Sequence, residues 1–191
     1  KMAGLKIPSL KEDFKNGTFQ SEAYVKKYLK NNEKKKNVLE IGCSFGYFLN
    51  TLKKKGFKNV YGVEINQVCK KYINQKLKIP CYSDLDEIDS EILFDKIFLF
   101  YSYEYIYKPR EYLEKLFSIL NKKGKIYIIT PNKNDILKDL VPGSKFSNFF
   151  YDIHSINYFS VLSLKKIANL SKIKDYSIKT YQGYSLANLF H

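Results

Sequence analysis

Seven residues, Glu40-Ile41-Gly42-Cys43-Ser44-Phe45-Gly46, carry the densest chemical signal in the sequence. They stand where the apolar run Val38-Leu39-Glu40-Ile41 gives way to helical spacing, and glycine at 42 and 46 lets the backbone come close to a ligand. The Glu40 carboxylate, just before the turn, can accept a hydrogen bond from a ligand amine. The glycines read G-x-x-x-G, not the G-x-G-x-x-G of dinucleotide sites, and purely structural turns use the same residues. Two further acids strengthen the signal. Glu64 closes the next apolar run, 22 residues past Gly42; an acid there can accept both hydroxyls of a ribose. Asp84, in Ser83-Asp84-Leu85, follows the third run 20 residues later. It can accept from an adenine amino group or merely cap a helix.

Three acids act together only where successive strands end at one edge, and an open parallel sheet provides that edge. From about residue 38 onward, short apolar runs alternate with helical patterns, which predicts an α/β fold with a doubly wound, mostly parallel sheet and helices on both faces. Strands are expected at 38–41, 59–64, 79–82, 94–101 and 124–131, with a last one at 173–181. Phe45, Phe48, Leu49 and Leu52 recur at helical spacing up to Lys53-Lys54-Lys55-Gly56, where lysines suit the helix dipole and glycine the left-handed stop. Asn66 and Ser160 are the expected N-caps of later helices, and Pro109 opens another with Leu113, Leu116 and Phe117 inward. Residues 1–37 read as a helical appendage with a helix over about 21–30. Residues 38–191 read as one domain with a lid-like insert at about 132–159, too long for an ordinary connection.

Composition narrows the classes. The chain has 191 residues and a net charge of +14, with 33 basic residues of which only Arg110 is arginine. Planar bidentate reading of phosphate and guanine favours arginine, so the lysine excess argues against nucleic acid. Most lysines are expected as solvated groups at helix ends; Lys108, Arg110, Lys133, Lys138 and Lys145 are the five placed to meet a phosphorylated acceptor. Cys43, Cys69 and Cys81 form no C-x-x-C pair, which leaves neither a disulfide framework nor a metal site. No run reaches the ~20 apolar residues of a membrane span and no secretion signal is visible, so the expected compartment is the cytoplasm.

The stretch from Val38 to Leu49 resembles the first motif of the class I S-adenosylmethionine-dependent methyltransferases, with Ser44 where a third glycine is more usual. The resemblance implies a Rossmann-like fold and S-adenosylmethionine as cofactor, leaving as S-adenosylhomocysteine. It places Glu40, Gly42, Ser44, Gly46, Tyr47 and Phe48 around the cofactor, Glu64 with Ile65 at the ribose, Asp84 with Leu85 at the adenine, and Tyr101 near the reacting methyl. Downstream, Phe94-Asp95-Lys96-Ile97, Tyr103 to Leu113, Gly124 to Asn132 and His154 to Ser160 resemble a bacterial subgroup of small-molecule and cell-surface sugar methyltransferases. Tyr105 stands where that subgroup usually has histidine. The similarity covers roughly residues 36–175.

Methyl transfer from a sulfonium is an in-line displacement, so alignment and exclusion of water are the main tasks, with a general base needed for an alcohol acceptor. His154 in the insert is the candidate base, and Tyr101, Ser102 and Glu104 are candidates to contact the reacting groups. Tyr151, Tyr158, Lys133 and Lys145 are expected on the substrate side. The expected activity is O-methylation of a small sugar or nucleotide-linked metabolite in surface polysaccharide biosynthesis. A nucleic-acid or protein methyltransferase, and an idle scaffold that keeps the fold, stay open as alternatives.

Overall fold

The computed structural model describes residues 10–140 and 155–182. Five strands, β1 (Asn37–Ile41), β2 (Asn59–Val63), β3 (Cys81–Tyr82), β4 (Phe94–Phe100) and β5 (Leu120–Ile129), form an all-parallel sheet in the order β3-β2-β1-β4-β5. The expected Rossmann-like, doubly wound architecture is therefore present, and the order reverses between β1 and β4. Ligands of such sheets bind beyond the strand carboxyl ends at that reversal.

The described chain falls into two compact units, residues up to Phe98 with Leu120–Lys125, and Leu99–Ile119 with the residues from Ile126 onward. In the first, β1 is buried at four consecutive positions and β4 at Phe94 and from Lys96 to Leu99, the mark of strands covered on both faces. The register Glu40↔Gly62 and Ile41↔Val63, then Gly62↔Cys81 and Val63↔Tyr82, brings the carboxyl ends of β1, β2 and β3 level.

Helix α1 (Leu10–Tyr28) is longer than the expected 21–30 and packs on α2 (Tyr47–Lys54). Gly17 weakens a helix on propensity alone. Here the Tyr47 ring fills its place, because a Cβ at Gly17 would lie 2.6 Å from that ring. Below α1, the Lys96 ammonium is buried against the Tyr28 carbonyl at 2.5 Å and Glu33 Oε2 at 2.9 Å. Helix α2 stops as its sequence dictates, with Gly56 at φ 86°. Asn66 caps α3 (Gln67–Tyr72), its Oδ1 accepting from the amides of Val68 and Cys69. A π turn, Ile73–Leu77, follows, and Asn74 uses its whole amide on the Cys81 backbone, covering the edge of β3.

In the second unit, Pro109 opens α4 (Pro109–Ser118), which packs on α6 (Val161–Leu170); the short α5 (Ile136–Leu140) lies between them in sequence. Ser160 caps α6 reciprocally with Ser163. Tyr103 is fully buried, stacked on Phe159 at 5.0 Å, and its hydroxyl donates to the Pro109 carbonyl. Asn132 bridges to Phe159.

Three expectations change. No strand forms over 173–181 among the described residues: most of those side chains are exposed, leaving no apolar face for a sheet to bury. Strand β5 begins at Leu120 rather than at residue 124. The chain passes so close to Leu120 and the Phe94 carbonyl that a Cβ at Gly124 would sit 2.7–2.8 Å from them, which only glycine permits. Strand β3 shrinks to two residues.

Candidate functional site

The turn after β1 is built by three left-handed residues in alternation, Gly42 at φ 69°, Ser44 at φ 48° and Gly46 at φ 74°. A serine in that backbone region is uncommon and marks why glycine is more usual there. The Gly42 and Cys43 amides donate to the Val63 carbonyl at 2.8 and 3.3 Å, and the Gly46 amide to the Cys43 carbonyl at 2.8 Å. Gly42 and Ser44 remain exposed.

Glu64 ties the turn to the next strand end. Its Oε2 accepts from the Ser44 amide at 2.7 Å and its Oε1 from the Asn66 amide at 2.8 Å, and the residue is only 8 % exposed. Each carboxylate oxygen keeps a second lone pair for a ligand hydroxyl. Ile65 and Val68 beside it stand 82 % and 70 % exposed, an uncovered apolar surface. Asp84 is exposed; one oxygen caps the short 3₁₀ turn Leu85–Glu87 through the Asp86 amide at 3.1 Å.

Glu40 is buried on the end of β1, and its Oε2 has no hydrogen-bond partner among the described residues. Burial, then Cys81, then Glu64, push its carboxyl well above the usual carboxylate range. The Cys43 thiol lies 3.8 Å from Cys81. That hydrogen bond first, then burial and the nearby carboxylates, push Cys43 upward, which leaves it a packing group and not a nucleophile.

Of the residues expected at the cofactor, Phe48 packs edge-on against Phe98 at 5.0 Å, and Leu85 is buried. Tyr47 is half-buried against Gly17.

The second unit holds the other candidates. Tyr101, at φ 51° and half-exposed, meets the Tyr181 hydroxyl at 3.0 Å. Glu104 is 3 % exposed; its Oε2 accepts from Thr130 Oγ1 at 3.0 Å, and its carbonyl accepts from the amides of Ile156 and Asn157 at 3.1 and 2.9 Å. Asn157 Nδ2 adds a 2.7 Å bond to the Ile106 carbonyl. Thr130 and Asn157 were not singled out from sequence; a hydroxyl at a strand end and an asparagine entering a capped helix were the available signals. Tyr158 is half-buried, Lys133 exposed, and Lys138 buried rather than placed to meet an acceptor. Tyr105 is 41 % exposed. Lys145, Tyr151 and His154 lie outside the described residues.

Residues 19–171 match the family described as "Methyltransferase domain". Among solved structures, a SAM-dependent methyltransferase from Archaeoglobus fulgidus is 23 % identical, with TM-score 0.64 over 84 % of this chain and 71 % of that one. The plantazolicin methyltransferase BpumL, in complex with a monoazolic analogue and SAH, is 21 % identical, with TM-score 0.63 over 94 % and 75 %. Against other structures of that enzyme the chain spans 62–64 % of its length. Magnesium protoporphyrin IX methyltransferase from Synechocystis, with bound SAH, is 14 % identical, with TM-score 0.63 over 88 % and 79 %. No curated protein matches the chain. With the family matched over most of its length and the sheet, turn and acids in place, the chain belongs to the class I S-adenosylmethionine-dependent methyltransferases.

Proposed function

We propose that the chain transfers a methyl group from S-adenosylmethionine to an oxygen of a small sugar or nucleotide-linked metabolite, as a cytoplasmic step of surface polysaccharide biosynthesis. The observation that carries the cofactor half is Glu64, which clasps the Ser44 and Asn66 amides and keeps lone pairs for the ribose hydroxyls. The other residues fit the same ligand. Glu40 offers a buried acceptor oxygen without a donor, which the methionine ammonium supplies. Ile65 and Val68 offer apolar surface to the adenine, and the second oxygen of Asp84 suits its amino group. Gly42 and Ser44 present exposed backbone to the methionine end.

When bound, the cofactor supplies a methyl group on a cationic sulfur, open to attack in line with the breaking bond. The chain's residues then bind, orient and deprotonate. Tyr101 faces the acceptor, His154 takes the proton of the attacking hydroxyl, and Tyr151, Tyr158, Lys133 and Lys145 hold the acceptor. Glu104 acts as a positioning residue: its buried carboxylate is engaged by Thr130, and its carbonyl holds the segment that follows His154 in sequence. The lysine-rich, arginine-poor charge supports a small acceptor over nucleic acid.

Release of S-adenosylhomocysteine with a panel of sugars, sugar nucleotides and sugar phosphates tests the proposal. Turnover with one of them is the expected result, and cofactor binding without turnover on any acceptor class supports the idle scaffold. His154→Ala should lower kcat by at least about 100-fold at optimal pH, whereas an unchanged kcat removes His154 as the base.

A further inference from the structure

The parallel register sets Glu40, Gly62 and Cys81 side by side on β1, β2 and β3, so their side chains share one face of the sheet. Gly62 contributes no side chain, and the space above it is filled by two thiols and the Leu49 side chain; a Cβ there would lie 2.7 Å from Cys43 Sγ, 2.8 Å from Leu49 Cδ1 and 3.3 Å from Cys81 Sγ. The Glu40 carboxyl therefore faces the Cys81 thiol from β3, the Cys43 thiol from the turn and the Glu64 carboxylate from the end of β2. None of these is a cation. The buried cation of β4, on the other side of β1, is Lys96, and it is engaged by Glu33 and the Tyr28 carbonyl. Among the described residues the buried Glu40 Oε2 has no hydrogen-bond partner, and a carboxylate buried so without a counter-charge would be costly; such groups take up a proton instead.

We propose that Glu40 is a neutral carboxylic acid in the cofactor-free protein and ionises when the cofactor's α-ammonium seats against it, so that cofactor binding expels one proton. This rests on the cofactor reading above and adds a charge change to it. The reaction balances as Glu40 carboxylic acid plus ligand ammonium giving a carboxylate–ammonium pair plus a proton delivered to buffer. No oxidant or further reactant is needed. The upward push on the Glu40 carboxyl from burial, Cys81 and Glu64 agrees with the geometry.

The sign follows from linkage. Where the free protein holds the proton and the complex does not, affinity tightens as pH rises, by up to about tenfold per pH unit. The gain stops once pH passes the free-state value of Glu40, and it reverses when the ligand's own α-amino group deprotonates.

The experiment is calorimetric titration of the full chain with S-adenosylhomocysteine at about pH 6.5, in buffers of different ionisation enthalpy. Heats that track buffer enthalpy with about one proton released, together with buffer-independent heats in Glu40→Gln, are expected. Buffer-independent wild-type heats, or the same proton count in Glu40→Gln, overturn the inference alone. Absence of any S-adenosylhomocysteine binding in the wild type overturns it together with the cofactor reading. Should Glu40→Gln fail to fold, infrared difference spectra of the wild type decide the matter. Loss of a protonated-carboxyl band on ligand addition supports the inference, and an unchanged band overturns it.

Discussion

Replacing Glu64 with alanine removes the carboxylate that joins the β1 turn to the end of β2. Two amides lose their acceptor, Ser44 at 2.7 Å and Asn66 at 2.8 Å. Both residues are exposed, so water can replace the carboxylate in the free protein. The cost to stability then stays at about 1–3 kcal/mol, a fall in Tm of roughly 2–12 °C for a chain of this size. Cofactor binding loses more. Two ribose hydroxyls forfeit bonds to a charged acceptor, each contributing about 1.5–3 kcal/mol, so S-adenosylhomocysteine should bind at least about 100-fold more weakly. Glu64→Gln should fall between, because its amide keeps one acceptor oxygen and points a donor at the other backbone N–H. Asn66→Ala is the control: it removes the α3 cap, worth about 0.5–2 kcal/mol, yet leaves the backbone amide that Glu64 holds. Affinities come from calorimetry and stabilities from thermal melts. A folded Glu64→Ala that binds S-adenosylhomocysteine within about threefold of wild type would refute the clasp as the ribose site.

Lys96→Met should lower stability by about 2–4 kcal/mol in denaturant unfolding, because Glu33 loses its buried partner while keeping Lys36 and the Lys30 amide. Burial alone would raise the Glu33 carboxyl, but Lys96, the Lys30 amide and Lys36 together hold it below its usual value. Its contribution is therefore present above about pH 4.3 and lost as pH falls through the lower folded value, so Glu33→Gln should flatten the acid limb of Tm against pH. Gly17→Ala should destabilise the protein by about 1–3 kcal/mol in chemical unfolding, against the ~1 kcal/mol that helix propensity favours, because the new methyl meets the Tyr47 ring at 2.6 Å. Thr130→Val should leave the buried Glu104 carboxylate without its hydroxyl donor, and hydrogen exchange at the Ile156 and Asn157 amides should accelerate.

What sequence made legible was whatever neighbours in the chain decide. Gly56 ends α2, Asn66 caps α3, Pro109 opens α4 and Ser160 caps α6, each as its residue type predicts, because the groups involved lie within a few residues of one another. What stayed hidden depends on partners far along the chain. The length of α1 depends on Tyr47 filling the place of Gly17 and on Lys96 donating to the Tyr28 carbonyl 68 residues away. Strand β3 has only two residues, its outer edge covered by Asn74 on the Cys81 backbone, and the segment 173–181 stays largely exposed. At the site, the types and order of Glu40, Glu64 and Asp84 could be read, but their different environments could not. Only the register reveals that Gly62 opens a space between Glu40 and Cys81, and only the fold shows Glu64 already holding two amides while Asp84 caps its own turn.

The same distinction settles how the net charge of +14 is distributed. Lys53 donates to the carbonyls of Leu77 and Lys78, closing the π turn; Lys70 bridges Ser83 and Glu87; Lys96 is buried under α1. These three lysines complete backbone and carboxylate partners within the chain. Of the five cations expected at a phosphorylated acceptor, Lys108 and Arg110 pair with Glu111 and Glu114 on the exposed face of α4. Exposed pairs of this kind contribute about 0–1 kcal/mol, too little to hold either side chain away from a stronger anion. Lys138 is buried in α5 and would have to leave its packing to reach one. Among the described residues, Lys133 is left exposed, its amide fixed on the Phe159 carbonyl at 2.7 Å. If the proposed acceptor carries a phosphate, Lys133→Ala should raise its KM, and an unchanged KM would remove Lys133 from the acceptor site.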